Sequence, residues 1–300
     1  MTVVGRLAPS PTGSLHLGNA RTFLWAWLSA RSRGGKVLLR IEDLDTPRVK
    51  PGVVEKMIDD LAWLGLDWDG EVVVQSARRA YYRDIHARLG ARLYPCRCTR
   101  ADVAAAQSAP HEGDAEPRYP GTCRTYAGPA VCWRFRVDPG PVTFEDRLFG
   151  FQSIDVAATV GDFVAAKEPD RPAYQLAVVA DDVAQGVTEV VRGDDLLPST
   201  ARQILIYRAL GATPPAWAHV PLIVGPDGKR LAKRHGDARI ATLRQRGVSP
   251  ERIVGALAEW SGLGSGKARP GDLLERWSWE RVSRKRVILT PDLLRGVAEL

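Results

Sequence analysis

The chain has 300 residues, 45% of them apolar and 26% charged, which is ordinary for a soluble globular protein with a sizeable core in two or three lobes. No apolar run reaches membrane-spanning length, and the first residues lack the basic start and apolar stretch of a signal peptide, so a cytoplasmic location is expected. A net charge of +7 favours a polyanionic partner, and four cysteines are too few for a disulfide scaffold in a chain this long.

Val3 to Leu7 reads as a buried strand ending at Pro9. Leu17 to Arg33 reads as a long helix, because Leu17, Ala20, Leu24, Trp27 and Leu28 recur at three- and four-residue spacing and Gly34-Gly35 stops the pattern. Lys36 to Ile41 is an almost continuous apolar run suited to a parallel sheet, and Pro51 to Leu66 is a second helix with Pro51 at its start and Gly65 near its end. Strand, helix, strand, helix is the opening of a doubly wound α/β domain. The alternation breaks near Leu93. Tyr94 to Arg124 holds three cysteines and a Pro/Gly/acidic stretch, Pro110 to Pro117, that reads as a mobile loop, and Val131 to Ile154 alternates like β structure. The α/β pattern resumes with a helix at Tyr174 to Ala184, a strand at Thr188 to Val191 and a helix at Ser199 to Leu210 capped by Ser199.

The expected architecture is therefore α/β: a Rossmann-like doubly wound parallel sheet with an inserted α+β lobe and a helical C-terminal region. Its divisions fall at 1–93 (first half of a nucleotide-binding domain), 94–170 (insertion), 171–240 (second half) and 241–300 (helical and basic).

Two segments carry chemistry. The first, Ala8-Pro-Ser-Pro-Thr-Gly-Ser-Leu-His16-Leu-Gly18, joins the first strand to the first helix, the junction that holds nucleotides in doubly wound sheets. A helix N-terminus offers N–H groups and partial positive charge to phosphate, glycine permits close backbone approach, and His16 can donate to a phosphoryl oxygen. The second, Gly225-Pro-Asp-Gly-Lys-Arg-Leu-Ala-Lys-Arg-His-Gly236, is a glycine-rich basic loop able to fold over a triphosphate and offset charge on leaving pyrophosphate. Alone, the first is equally a rigid Pro/Gly turn, and the second is better read as a solvated loop.

Together they resemble the two signature motifs of class I aminoacyl-tRNA synthetases. His16-Leu-Gly-Asn19 is similar to HIGH and Arg230-Leu-Ala-Lys-Arg234 to KMSKS, while Pro9-Ser-Pro-Thr-Gly13 has the glutamyl form. The likeness continues through Arg40-Ile-Glu-Asp-Leu-Asp-Thr-Pro-Arg48 and Val191-Arg-Gly-Asp-Asp-Leu196, and runs from residue 3 to about 265. It implies activation of L-glutamate by ATP with Mg²⁺, catalysed through His16 and Lys233. ATP would be held by Pro9, His16, Gly18, Asn19, Arg230 and Lys233, and glutamate by Arg6, Ala8, Ser10, Glu42, Tyr174 and Arg192. The chemistry suits those residue types: two arginines for two carboxylates, an acid for the ammonium and a phenol able to donate or accept. Which arginine takes which carboxylate is open. Ala232 replaces the KMSKS serine and removes a neutral hydrogen bond typically worth about 1 kcal/mol. Lys233 keeps the charge-assisted part, so altered kinetics are expected rather than loss of activity.

Cys96-Arg-Cys98 and Cys123 offer three thiolates for a structural zinc ion. Chemistry alone leaves Cys132 or His111 as the fourth ligand, whereas the family resemblance implies Tyr119. Full glutamyl enzymes continue into a large anticodon-binding region, but this sequence stops at residue 300. It thus resembles their short paralogues, which implies transfer of glutamate to the queuosine base at the wobble position of tRNA(Asp) by a monomer. The alternatives are a truncated glutamyl-tRNA synthetase charging tRNA(Glu) and a catalytically silent tRNA-binding paralogue. Arg276, Arg281, Arg284, Lys285 and Arg286 are candidate phosphate contacts or a solvated helical face.

Overall fold

The structure is a computed structural model that describes residues 2–45, 49–105, 118–229, 231 and 238–299. The first half runs β1 (Val4–Leu7), α1 (Leu17–Arg31), β2 (Lys36–Ile41), α2 (Val53–Trp63), β3 (Val73–Val74) and α3 (Arg79–Leu89). The middle of the chain adds β4 (Leu93–Cys96), α4 (Arg100–Ala105), β5 (Cys132–Phe135), β6 (Val142–Asp146), β7 (Gly150–Ile154), α5 (Val156–Thr159), β8 (Val164–Glu168) and β9 (Arg171–Pro172). Then come α6 (Tyr174–Ala184), β10 (Glu189–Gly193), α7 (Leu197–Ala209), β11 (Ala216–Val220) and β12 (Ile223–Val224). The C-terminal part holds α8 (Ile240–Gln245), α9 (Pro250–Glu259), a 3₁₀ turn at Pro270–Arg276, β13 (Val287–Ile288) and α10 (Pro291–Glu299).

β1, β2 and β3 form one parallel sheet, and β10, β11 and β6 form a second, with β7 antiparallel on its edge. The two sheets meet where the Thr188 N–H donates to the Val4 carbonyl at 2.9 Å and the Val4 N–H donates to Thr188 Oγ1 at 2.9 Å. Further along, the Arg6 side chain spans the gap instead, its Nη1 donating to the Val191 carbonyl at 3.1 Å. β1 and β10 thus part towards their C-terminal ends, at the point where strand order reverses, and open a cleft there. β4, β5, β8 and β9 make a separate antiparallel sheet, so the insertion has its own framework, while its β6–β7 hairpin extends the second half's sheet.

Local physics explains the boundaries. Leu17, Ala20, Leu24 and Leu28 of α1 are all buried. The helix stops at Arg31, slightly short of the expected Arg33, because Gly34 at φ 64° turns the chain back and the Gly35 N–H bonds the Ala30 carbonyl at 2.9 Å. α2 begins at Val53 rather than Pro51, since its cap Gly52 sits at φ 73°, where a helix cannot run. α7 begins at Leu197 with Pro198 in its first turn, so Ser199 is not the cap. Its buried hydroxyl instead accepts from Gln175 Nε2 at 3.0 Å and joins α7 to α6.

The C-terminal part packs against α1. Trp277 and Trp279 meet Trp25 edge-on at 5.6 and 6.2 Å. Buried Arg21 donates to the Pro221 and Trp260 carbonyls and to Ser261 Oγ. Arg276 ends the 3₁₀ turn, and Arg281, Arg284, Lys285 and Arg286 lie on the exposed irregular chain that follows, not on a helical face. Among the described residues no helix is long and apolar enough to cross a membrane. Pro110 to Pro117, with His111, lies outside the described residues, as do Arg230, Ala232 and Lys233.

Candidate active site

The cleft between β1 and β10 has a volume of about 630 Å³. Arg6, Ala8, Pro9, Ser10, His16, Gly18, Asn19, Glu42, Tyr174 and Arg192 all line it, so every described residue expected to hold glutamate or ATP converges on one place. Strand ends supply Arg6 and Arg192, the β1–α1 loop supplies Ala8 to His16, the chain after β2 supplies Glu42, and the first turn of α6 supplies Tyr174.

His16 is the N-cap of α1. Its Nδ1 accepts from the Gly18 and Asn19 N–H groups at 3.1 and 3.3 Å, and Asn19 Oδ1 accepts from the His16 N–H at 3.4 Å. An accepting Nδ1 carries no proton, so the neutral ring bears its N–H at Nε2. The expectation that open backbone N–H groups meet the phosphate therefore changes: two of them are already capped, and the imidazole carries the donor instead. Gly18 suits this arrangement, because a Cβ there would crowd the ring at 3.0 Å from His16 Cε1.

The two arginines differ. Buried Arg192 uses Nε on His219 Nε2 (3.1 Å), Nη1 on Gln203 Oε1 (2.7 Å), and Nη2 on Thr200 Oγ1 (2.8 Å) and the Leu196 carbonyl (3.3 Å). That leaves one Nη1–H. Arg6 spends one N–H on Val191, and its Nε lies 3.7 Å from Asp182 without a hydrogen bond, so its Nη2 pair is uncommitted among the described residues. Arg6 is the one able to fork. Burial holds the Glu42 carboxyl above the ordinary carboxylate range, opposed by Arg40 and Arg6. Fully buried Arg40 donates to Glu42 (3.2 Å), Asp182 (2.7 Å) and Gln185 (2.8 Å), and so fixes Glu42 from behind. Tyr174 feels the charges of Arg192, Glu42 and Arg6.

Sequence reasoning missed several lining residues. Leu231, within the basic loop, and Arg239, just beyond it, both border the cleft, and Ile223 of β12 precedes the loop and borders it too. Arg239 bridges to His16, and the Ile240 N–H donates to the Leu15 carbonyl at 2.9 Å, which ties the loop's exit to the first motif. Asp195 also lines the cleft. The Asp-Asp pair after Gly193 was the available signal.

In the insertion, Cys96, Cys98 and Cys123 place their sulfurs within 4.8 Å of one another. Tyr119 Oη lies 3.4 Å from Cys96 Sγ, and Cys98 Sγ lies 3.5 Å from Cys123 Sγ. Cys132 pairs with Cys96 across the β4–β5 ladder but is outside this cluster. Burial opposes ionisation of Cys98 and Cys123. Bonds from Tyr119 and the Arg97 backbone nevertheless bring Cys123 down to about 7, whereas burial and the Cys123 contact push Cys98 up to about 11. Three thiols this close could hold a metal ion, and the Tyr119 phenol stands beside them.

Residues 2–267 match the family of tRNA synthetases class I (E and Q), catalytic domain. A glutamyl-Q tRNA(Asp) synthetase of Rhodopirellula baltica is 44% identical, with 96% of this chain and 97% of that one covered. Another, of Symbiobacterium thermophilum, is 47% identical with 98% of each covered. The crystal structure of a glutamate tRNA ligase from Elizabethkingia meningosepticum, in complex with its amino acid, is 27% identical and matches with a TM-score of 0.83 over 99% of this chain and 69% of that one. Family match, relatives and fold agree with the cleft: the chain belongs to the class I tRNA synthetases of the E and Q type, in their glutamyl-Q tRNA(Asp) synthetase branch.

Proposed function

We propose that the chain activates L-glutamate with ATP and transfers the glutamyl group to the queuosine base at the wobble position of tRNA(Asp). The observation that carries this reading is the meeting of Arg6, Glu42, Tyr174 and Arg192 with His16 in one cleft. Two cations, one acid and a phenol suit a dicarboxylic amino acid, and His16 faces the same space as a phosphate donor. The names of the relatives support the acceptor.

Arg6 takes one carboxylate with its fork, and Arg192 meets the other with its remaining N–H. Glu42 receives the ammonium, which supplies the cation that favours its ionised form. Ala8 and Ser10 border the amino acid, and Pro9, Gly18 and Asn19 border the nucleotide. The glutamate α-carboxylate then attacks the α-phosphorus of ATP in line, and pyrophosphate leaves. His16 Nε2–H, Arg230 and Lys233 meet the charge that builds on the phosphates, so positioning and electrostatics supply the rate without a protein nucleophile. Mg²⁺ accompanying ATP would neutralise part of the phosphate charge. Cys96, Cys98, Cys123 and Tyr119 would hold zinc, which cross-links the inserted lobe.

On this reading 1–93 and 171–240 are the catalytic halves, 94–170 is the insertion and 241–300 faces RNA. The exposed Arg276 to Arg286 stretch reaches the cleft's rim: Arg286 pairs with Asp194 at 3.0 Å, and β13 pairs with β12, which carries Ile223. It offers the anticodon loop a phosphate track into the site. The protein would act as a monomer in the cytoplasm, where its tRNA is found.

The test is glutamate-dependent ATP–pyrophosphate exchange without RNA, followed by transfer of labelled glutamate to queuosine-containing tRNA(Asp) and to tRNA(Glu). Exchange and tRNA(Asp) labelling are expected. Absence of exchange under all conditions overturns the activity, and labelling of tRNA(Glu) alone overturns the acceptor. Lys233→Ala should lower exchange about 100-fold with the fold retained, as expected for loss of a donor to developing charge.

A further inference from the structure

One residue of the inserted hairpin reaches a cleft residue through an intermediary, without lining the cleft itself. Asp146 ends β6 and is buried. Its Oδ1 accepts from the N–H groups of Leu148 and Phe149 at 3.0 Å each and of His219 at 3.4 Å. Its Oδ2 lies 2.7 Å from Nδ1 of His219, a fully buried residue of β11. On the other side of the ring, Nε2 receives the Arg192 Nε–H at 3.1 Å and faces Thr200 Oγ1 at 3.3 Å. Arg192 lies over the Trp217 ring, with 5.1 Å from Cζ to the ring centroid.

The hydrogen-bond directions follow from these contacts. Arg192 can only donate, so His219 Nε2 must accept and cannot carry a proton. The proton of the neutral ring then sits on Nδ1, and only an acceptor such as the Asp146 carboxylate holds it there. Burial holds His219 below its ordinary value, with Arg192 adding to this and Asp146 and Asp194 opposing. Burial also opposes ionisation of Asp146, yet the bonds from His219, Phe149 and Leu148 keep it below the usual carboxylate range. A neutral ring against an ionised carboxylate is consistent with the geometry.

We propose that Asp146 and His219 are positioning residues for glutamate recognition: Asp146 selects the Nδ1–H tautomer of His219, whose Nε2 lone pair fixes the Arg192 guanidinium with its last N–H turned to the substrate. The proposal rests on the reading of Arg192 as a carboxylate anchor. It gives the β6–β7 hairpin a part in amino-acid selection, although the hairpin belongs to the inserted stretch of sequence and lies behind β11.

Asp146→Asn tests it with nearly no change of shape. Three backbone N–H groups keep the asparagine oxygen at the Oδ1 position, so its NH₂ must face His219 Nδ1. The ring then shifts its proton to Nε2 and sets a donor against the Arg192 Nε–H. The expected result in exchange kinetics is a rise of roughly 10- to 100-fold in KM for glutamate, with KM for ATP within about twofold. ¹⁵N-detected NMR of the histidine ring, assigned by comparison with His219→Gln, should show the proton moving from Nδ1 to Nε2. His219→Gln retains an acceptor for Arg192, so its KM for glutamate should rise less. Adding Asp146→Asn to it should cost nothing further, whereas a purely structural role for Asp146 would make the two effects add. Arg192→Ala separates the two levels of inference. If it leaves KM for glutamate unchanged, the anchor reading fails. If it raises KM while Asp146→Asn does not, or if the two variants' effects add, the relay is overturned.

Discussion

His16 caps α1 in the structure and is proposed to donate to the phosphates of ATP, and one substitution separates the two roles. Its Nδ1 caps α1 by accepting from the Gly18 and Asn19 N–H groups at 3.1 and 3.3 Å, and its Nε2–H is the donor assigned to the phosphates. His16→Ala removes both. Losing a side-chain cap costs about 1 kcal/mol. Losing a preorganised donor to developing charge costs about 3 kcal/mol in the barrier, or on the order of 100-fold in rate. His16→Asn removes only the second, because asparagine is among the best N-caps and its amide oxygen reaches the same two N–H groups. Urea unfolding should therefore place His16→Asn within about 0.5 kcal/mol of the parent and His16→Ala about 1 kcal/mol below it. Exchange should fall on the order of 100-fold in both. No stability loss in His16→Ala would show that the ring does not cap. Exchange within threefold of the parent in His16→Asn would remove Nε2 from the chemistry and refute the assignment.

Two further outcomes follow from the same geometry. Burial, with Arg244 opposing and Asp59 adding, raises the Asp60 carboxyl to about 6. The folded state therefore holds this proton more tightly than the unfolded chain, whose value is about 3.9, and stability is lost as pH rises from about 4 to about 6. Asp60→Asn should raise stability at pH 8 by up to about 3 kcal/mol and change little at pH 4, as read by thermal melts; an equal shift at both values contradicts the assignment. For the metal, one zinc per chain is expected by elemental analysis. Tyr119→Phe should weaken its retention against a chelator while Cys132→Ser should not, and the reverse order would make Cys132 the fourth ligand.

Much of the fold was legible in the sequence. Local signals sufficed where they were strong, as in β2 at Lys36–Ile41 and α6 at Tyr174–Ala184, both placed at their observed bounds. Boundaries failed where one backbone angle decided them, as at Gly52, or where a serine had a better tertiary partner, as Ser199 has in Gln175. The C-terminal basic stretch, expected within a helical region, is irregular chain up to β13, whose register comes from pairing with β12 rather than from its own pattern.

For function, the motifs around His16 and Arg6 pointed to the chemistry, since residue types dictate what a side chain can donate, accept or neutralise. Sequence alone also marked Cys96, Cys98 and Cys123 through their spacing. Tertiary structure decided everything that depends on which groups are already engaged. It parted β1 from β10 to make the cleft, turned His16 Nδ1 into a cap, left Arg6 the freer fork and tied Arg192 to His219 and Asp146. A hydrogen-bonding group has a fixed number of donors and acceptors, and only long-range packing determines how many remain for a ligand.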